Sequence, residues 1–314
     1  MTCGSSEGHR PGRIVTVTVT FNPDSDLLET QLSALPQDCV KIVVDNASEP
    51  QGTERIAALA ARTPNTKLLR NPRNAGLAAA LNLGVSVARH EAPAARFALL
   101  LDQDSEPQVG SIAALVSAFE ELESSGRRVG CVGPLLIDAA TGRQHGFHQA
   151  TCWRWRRIFP APYTGTPVQC TNLNGSGTLV PIDLFLNFGG LDEELFIDHV
   201  DTAWSFRVLA AGYELWGIPK AVFRHRMGNS SLRFWMCGWR IWPVRSAARH
   251  YYLFRNAVLL IRRPGILRVW KAWAIAKLVL TALLHGLFDP GRGEQLRQMR
   301  RGLVDGLHMR NARR

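Results

Sequence analysis

The apolar run Phe97-Ala98-Leu99-Leu100-Leu101 breaks off into Asp102-Gln103-Asp104-Ser105, and that junction constrains the chain more than any other stretch. Five consecutive apolar residues without polar alternation predict a strand buried on both faces, as in a parallel sheet covered by helices. Ligands of such sheets collect beyond the carboxyl ends of the strands, so Asp102 and Asp104 are expected at a site. Two carboxylates at this spacing can hold a hard divalent cation against phosphate oxygens, because Mg²⁺ takes one or two carboxylates and completes its shell with phosphates and water. A strand followed by an acidic turn of no function is the competing reading.

The surrounding pattern repeats the theme. Ile14 to Thr20 alternates β-branched residues and stops at Asn22-Pro23, a strand and turn. A helix is expected from Asp26, with Asp26 and Glu29 as a capping box. Val40 to Val44 is a second strand ending in Asp45-Asn46, Arg55 to Arg62 is helical, and Lys67 to Leu69 is a weak third strand. Ala75 to Ala88 is an Ala- and Leu-rich helix after the loop Asn71 to Asn74. Beyond Leu101 come a helix from about Ser111 to Glu123 and a strand from Val129 to Leu136. Alternating strands and helices predict right-handed βαβ units, an α/β fold with a mainly parallel sheet, and polar loops after three strands at one edge. No GxGxxG or GxxxxGK[ST] loop occurs, which argues against dinucleotide oxidoreductases and P-loop enzymes. Asp138 to Gln169, with Arg154, Arg156 and Arg157 among Trp153, Trp155 and Phe159, has no clear period and reads as an insertion: a lid, part of an acceptor surface, or a mobile loop.

The net charge of +11 is unevenly spread: residues 1–223 carry 18 Lys+Arg and 23 Asp+Glu, net −5, and residues 224–314 carry 19 and 3, net +16. In the basic part the charges sit among Phe234, Trp235, Trp239, Trp242 and the apolar stretch Trp270 to Phe288, a composition suited to anionic lipid and not to nucleic acid. Lys271, Lys277 and His285 interrupt that stretch, which favours lying on a membrane surface over spanning it, with an ordinary buried helix as the alternative. The six cysteines form no CxxC pair, as expected of reduced thiols in cytoplasm, and residues 1–13 read as a frayed polar leader.

Seven segments in order resemble a known family. They are Thr20-Phe21-Asn22-Pro23, Val44-Asp45-Asn46, Arg70-Asn71 with Asn74 to Asn82, Leu99 to Ser105, Asn174-Gly175-Ser176-Gly177, Phe188 to Asp201, and Arg249 to Asn256. Over roughly residues 14–262 the chain is similar to the inverting nucleotide-sugar glycosyltransferases of family two, and within them to bacterial L-rhamnosyltransferases, including those that extend rhamnolipids. The composition of residues 231–314 predicts a helical extension that docks on the inner face of the cytoplasmic membrane, and the resemblance implies a GT-A fold over residues 14–230. It implies L-rhamnose transfer from dTDP-L-rhamnose, with inversion and with Mg²⁺ or Mn²⁺, to an amphiphilic, lipid-linked acceptor; another dTDP- or UDP-sugar is the alternative.

Carried onto this chain, the resemblance gives Thr20, Asn22 and Asp45 to the base and ribose, Asp102 to ribose or donor sugar, and Asp104 to the metal. Asn74 and Gly76 stand at a helix start, where free N–H groups favour phosphate unless they cap the helix. Asp198 is the expected general base within Asp198-His199-Val200-Asp201; here His199 stands where the family usually has a second acidic residue, and it is the alternative base. Asp201 falls in a first helical turn, as cap or substrate contact. His225 would complete the metal shell or be a plain surface histidine, and Arg226 and Arg249 could reach the diphosphate. Tyr251, Tyr252 and Trp239 are acceptor contacts or helix packing. Phosphatases using an aspartyl nucleophile, nucleotidyltransferases and a non-catalytic, membrane-bound nucleotide-sugar binder are the competing classes.

Overall fold

The computed structural model describes residues 13–226, 231–235, 239–243 and 245–309. The leader before Arg13 and the side chains of Phe234, Trp235, Trp239 and Trp242 lie outside the described residues. In chain order the elements are β1 (Ile14–Thr20), α1 (Ser25–Ala34), β2 (Val40–Asp45), α2 (Pro50–Arg62), β3 (Thr66–Arg70), α3 (Leu77–Glu91), β4 (Phe97–Asp102), β5 (Ser105–Pro107) and α4 (Ser111–Ser124). There follow β6 (Val129–Asp138), β7 (Phe147–Ala150), β8 (Trp155–Ile158), β9 (Val168–Cys170), β10 (Thr178–Pro181), α5 (Ile182–Asn187), α6 (Val200–Ala210) and β11 (Glu214–His225). The chain continues through β12 (Ser231–Trp235), β13 (Trp239–Pro243), α7 (Ala247–Arg262), α8 (Arg268–Phe288) and α9 (Arg292–His308).

One nine-stranded sheet runs β3-β2-β1-β4-β10-β6-β11-β5, with β9 also paired to β11. β3, β2, β1 and β4 are parallel neighbours, and β10 enters antiparallel between β4 and β6, so the sheet is mixed with a parallel first half. Alternation along the strands builds two cores. Val15, Val17, Val19, Ile42, Val44, Ala98 and Leu100 face α3, α5 and α6, while Ile14, Val43, Phe97, Leu99 and Leu101 face α1, α2 and α4. Each fully buried side chain of this kind contributes about 1.5–3 kcal/mol.

Local details differ from the sequence expectations for identifiable reasons. Asp24, not Asp26, caps α1, its carboxylate accepting from the Asp26 and Leu27 N–H groups, while Glu29 pairs with Arg62. α2 starts at Pro50, where a proline loses nothing by lacking an N–H. The helical extension also packs into the protein: Leu259 and Leu260 of α7 and Trp270 and Ala274 of α8 join the core that holds Val15 and Ala98. α9 lies against α7 closely enough that a Cβ on Gly302 would stand 2.3 Å from the Tyr251 carbonyl. The expected packing role of the tyrosines is also seen, Tyr252 stacking on Phe196 at 4.7 Å and the Tyr251 hydroxyl donating to Asp305.

Candidate active site

The parallel register aligns Thr20 with Asp45, Val19 with Asp102 and Asp45 with Arg70, so the strand ends share one edge. There a cavity of about 2580 Å³ opens, lined by Asn22, Asn74, Gly76, Asp102, Asp104, Asp198, Asp201, His225 and Arg249 among others. Thr20 and Asp45 are not in its wall. Both are buried, and the Asp45 carboxylate is taken up by the Ser48 hydroxyl (2.6 Å), the Ser48 N–H and the Thr53 hydroxyl. In this structure the two residues therefore shape the loop after β2, and their side chains stand behind the cavity wall. The Asn22 side chain, with φ +47°, does line the cavity, while its Oδ1 accepts from the Glu49 N–H at 2.8 Å.

At the start of α3 four N–H groups are already taken. Asn74 Oδ1 accepts from the Gly76 N–H, Asn46 Oδ1 from the Ala75 N–H, and the Phe196 carbonyl from the Leu77 and Ala78 N–H groups. Capping, the alternative for Asn74 and Gly76, is what the geometry realises. Gly76, at φ +87°, has to be glycine because a Cβ would meet the Phe196 ring at 2.6 Å. The loop carrying Phe196 and Asp198 is thereby fastened to the loop carrying Asn74.

β5 and β11 build a second part of the site. Their register pairs Ser105 with His225, which brings His225 Nδ1 to 3.2 Å from Asp104 Oδ1. Asp102, Asp104 and His225 each offer a ligand atom, all within 4.8 Å of one another. Burial pushes the Asp102 carboxyl up, with Asp104 repulsion adding to it and His225 and Arg249 opposing. Burial depresses the His225 pKa, but the Asp104 hydrogen bond and the Asp102 charge outweigh it and raise it overall. Two crowded carboxylates and an imidazole suit a hard divalent cation such as Mg²⁺ or Mn²⁺, whose charge would relieve the repulsion. Buried Gln31 fixes the turn, donating to the Ser105 carbonyl at 2.8 Å and to that of Asp102.

Asp198 lies across the cavity, its side chain 7% exposed and ion-paired to Arg245 and, at 3.2 Å, to Arg249. Burial alone would raise its pKa, but the two guanidinium groups outweigh that and hold it below the usual carboxylate value. Arg249 is also drawn by Asp102 and Asp104, so it links the two carboxylates of that edge to Asp198. Arg226, by contrast, meets Asp24 at 4.0 Å on the rim. His199 is pushed down to about 3 by burial and by Lys277, so its imidazole is neutral. Asp201 is pushed up to about 6 by burial, with Asp198 and Asp102 adding repulsion, and accepts from the Thr202 N–H at 2.8 Å.

The backbone bearing Asp198 is strained and clamped. Phe196, Asp198 and His199 all have φ +62°. Asn256 Nδ2 donates to the carbonyls of Leu195, Ile197 and Asp198 at 2.7, 2.7 and 2.9 Å, and Arg255 donates to those of Glu194 and Leu195. Removing that amide takes the donor from the Ile197 and Asp198 carbonyls, at about 1–3 kcal/mol each, while the Leu195 carbonyl keeps Arg255. Asn256→Ala is expected to lower stability by about 2–4 kcal/mol in urea unfolding and to cut turnover at least about tenfold at temperatures where the variant is folded. Unchanged stability and turnover would contradict the clamp.

Four of these roles escape sequence reading. Gln31, Arg245 and Asn256 act through partners 47 to 74 residues away. Lys277, a charge inside an apolar helix, reads as a flaw in a membrane segment but lines the cavity.

Residues 16–161 match the family model for glycosyl transferase family 2. The chain is 31% identical over 254 residues to the dTDP-rhamnosyl transferase RfbF of Shigella flexneri, across 81% of each protein. It is 26% identical over 326 residues to the N-acetylglucosaminyl-diphospho-decaprenol L-rhamnosyltransferase of Mycobacterium tuberculosis, across 94% of this chain and 98% of that one. Among solved structures, GalNAc-T7 with UDP, GalNAc and Mn²⁺ superimposes at TM-score 0.58 and 17% identity, covering 92% of this chain and 54% of that one. The mannosyltransferase PcManGT from Pyrobaculum calidifontis, with GDP-Man and Mn²⁺, gives TM-score 0.55 at 17% identity, covering 96% and 88%. At that identity the structures establish a shared GT-A-like fold. The acidic strand edge facing one deep cavity, together with the extent of likeness to RfbF, places the chain in glycosyl transferase family 2, as a glycosyltransferase.

Proposed function

We propose that this glycosyltransferase moves L-rhamnose from dTDP-L-rhamnose, with inversion, to a hydroxyl of an amphiphilic, lipid-linked acceptor. The observation that carries the reading is the convergence of Asp102, Asp104, His225, Arg249 and Asp198 on one cavity, in a chain 31% identical to a dTDP-rhamnosyl transferase. Asp104 and His225, with Asp102, would hold Mg²⁺ or Mn²⁺, which neutralises the departing diphosphate when bound. Arg249 lies where a guanidinium could turn from Asp198 to diphosphate oxygens. That turn would free one side of Asp198, the general base in this scheme, to take the acceptor proton. Asp201 is the second candidate, because its raised pKa and place in the cavity wall suit proton transfer near neutrality. Purified protein would be incubated with dTDP-L-rhamnose, other dTDP-sugars, UDP-sugars and GDP-sugars, with Mg²⁺ or Mn²⁺, while nucleoside diphosphate release is followed. Faster release from a UDP- or GDP-sugar than from dTDP-L-rhamnose would overturn the donor assignment.

The proposal also places the enzyme on the inner face of the cytoplasmic membrane. Ile275, Val279, Leu283 and Leu287 are exposed at four-residue spacing on α8, one stripe of the helix, and Leu296, Val304 and Leu307 of α9 are exposed too. α8 is 21 residues long with mean hydropathy 1.4 and 28% of its apolar window buried, while its other faces meet core and cavity. A stripe of this kind beside Arg297, Arg300 and Arg301 fits shallow docking on anionic lipid. Val279→Asp with Leu283→Asp is expected to abolish co-flotation with vesicles containing anionic phospholipid while dTDP binding persists. Undiminished flotation would remove the stripe as the docking face.

A further inference from the structure

The cavity extends past Asp198 to an end walled by the β7–β8 hairpin and α8, and its chemistry differs from that of the donor edge. Lys277 and Arg157 line it, and neither side chain has an ion pair with a carboxylate among the described residues. Lys277 Nζ rests 4.9 Å from the centroid of Trp273, Trp273 is 5.9 Å from Trp155, and Trp155 stacks on His148 at 5.4 Å. His148 is 7% exposed, and its Nδ1 has no hydrogen-bond partner; nor do the buried Trp155 Nε1 and Asn172 Oδ1. A buried charge is costly unless paired, and two cations that line one cavity end without a carboxylate partner among the described residues point to an anionic ligand that completes them.

The sign of the charge is set by the cations. Burial, then Arg245 and Arg157, push Lys277 down to about 8. Burial and Arg157 push His145 down to about 4 and His148 to about 3, so both imidazoles are neutral beside unpaired positive charge. The nearby carboxylate of Asp198 is already shared by two arginines. Lys277 feels the charges of Asp198 and Asp201, while Arg249 feels those of Asp198, Asp102 and Asp104.

We propose that this end of the cavity is a subsite for a phosphate ester carried by the acceptor, held by Lys277 and Arg157, with the acceptor's apolar chain lying along Trp155 and Trp273. The proposal rests on reading the activity as transfer to an amphiphilic acceptor. A guanidinium and an ammonium together match the charge of a phosphate ester, and indole faces beside them offer apolar area to its chain.

The test is equilibrium binding of decyl phosphate, below its micellar concentration, to the full chain saturated with dTDP and Mg²⁺. Decyl phosphate is expected to bind at least about tenfold more tightly than decyl glucoside or inorganic phosphate. Lys277→Gln and Arg157→Gln are each expected to weaken it about five- to tenfold, Lys277→Arg to retain it, and dTDP affinity, which reports the fold, to stay as in the wild type. Equal binding of decyl glucoside would show that no anion subsite exists, and equal binding of inorganic phosphate would show a site for free anion only. Decyl phosphate binding that is at least about tenfold tighter without dTDP than with it would give the cations to the donor, and unaltered binding by both Gln variants would remove them from the site. Each of these four results overturns the proposal. Failure of the sugar-nucleotide panel to favour dTDP-L-rhamnose would leave the decyl phosphate result standing, so the two readings fail separately.

Discussion

Asp198→Asn is expected to reduce glycosyl transfer about 10²- to 10⁴-fold while dTDP binding stays within a few fold of wild type. Asparagine preserves the shape of the side chain but cannot accept a proton, and it removes the charge that holds Arg245 and Arg249. The loop itself should survive, because its fold depends on the Asn256 amide and on the Phe196 carbonyl at the start of α3. The pH profile separates Asp198 from Asp201. A base works in its deprotonated form, so activity falls as pH drops through its pKa. Asp198 is held below the usual carboxylate value, and with Asp198 as base the rate should stay level as pH falls from about 7 to about 5. Asp201 is pushed up to about 6, and as base it would impose a loss through that range. Near-normal turnover of Asp198→Asn, with a falling limb near pH 6 abolished by Asp201→Asn, would transfer the role to Asp201.

Asp104→Ala is expected to abolish the enhancement of dTDP binding by divalent metal, a loss of about 10²-fold by calorimetry with Mg²⁺ or Mn²⁺. The carboxylate lies 3.2 Å from His225 Nδ1, and its removal leaves Asp102 and His225 too few for an ordered site. Without metal the variant should bind dTDP about as well as wild type, or better, because one negative charge facing the diphosphate is gone. An unchanged metal dependence would reject Asp104 as a ligand.

How far the sequence could be read depended on whether the signal was local. Phe97 to Leu101 announced a doubly buried strand because every residue in it is apolar, and the two core faces it serves follow from simple alternation. The Asp102-Gln103-Asp104 turn carried its own chemistry in two adjacent carboxylates. Thr20 and Asp45 were harder: a strand-end carboxylate looks alike whether it faces a ligand or braces a turn, and only the Ser48 and Thr53 hydroxyls decide it. The same ambiguity held for Asn74 and Gly76, where the N–H groups of α3 are taken by a carbonyl more than a hundred residues later. The basic region showed its charge and aromatic content locally, whereas the packing of Trp270 and the reach of Asn256 are long-range facts that composition does not carry.

The most direct measurement of the cation-binding edge is electron paramagnetic resonance of Mn²⁺ titrated into the protein with and without dTDP. One tightly bound Mn²⁺ per chain is expected in the presence of dTDP, weakened at least about tenfold in Asp104→Ala and in His225→Ala. Mn²⁺ that binds equally to wild type and both variants, or that ignores dTDP, would contradict Asp104 and His225 as the residues that would hold the metal beside the donor.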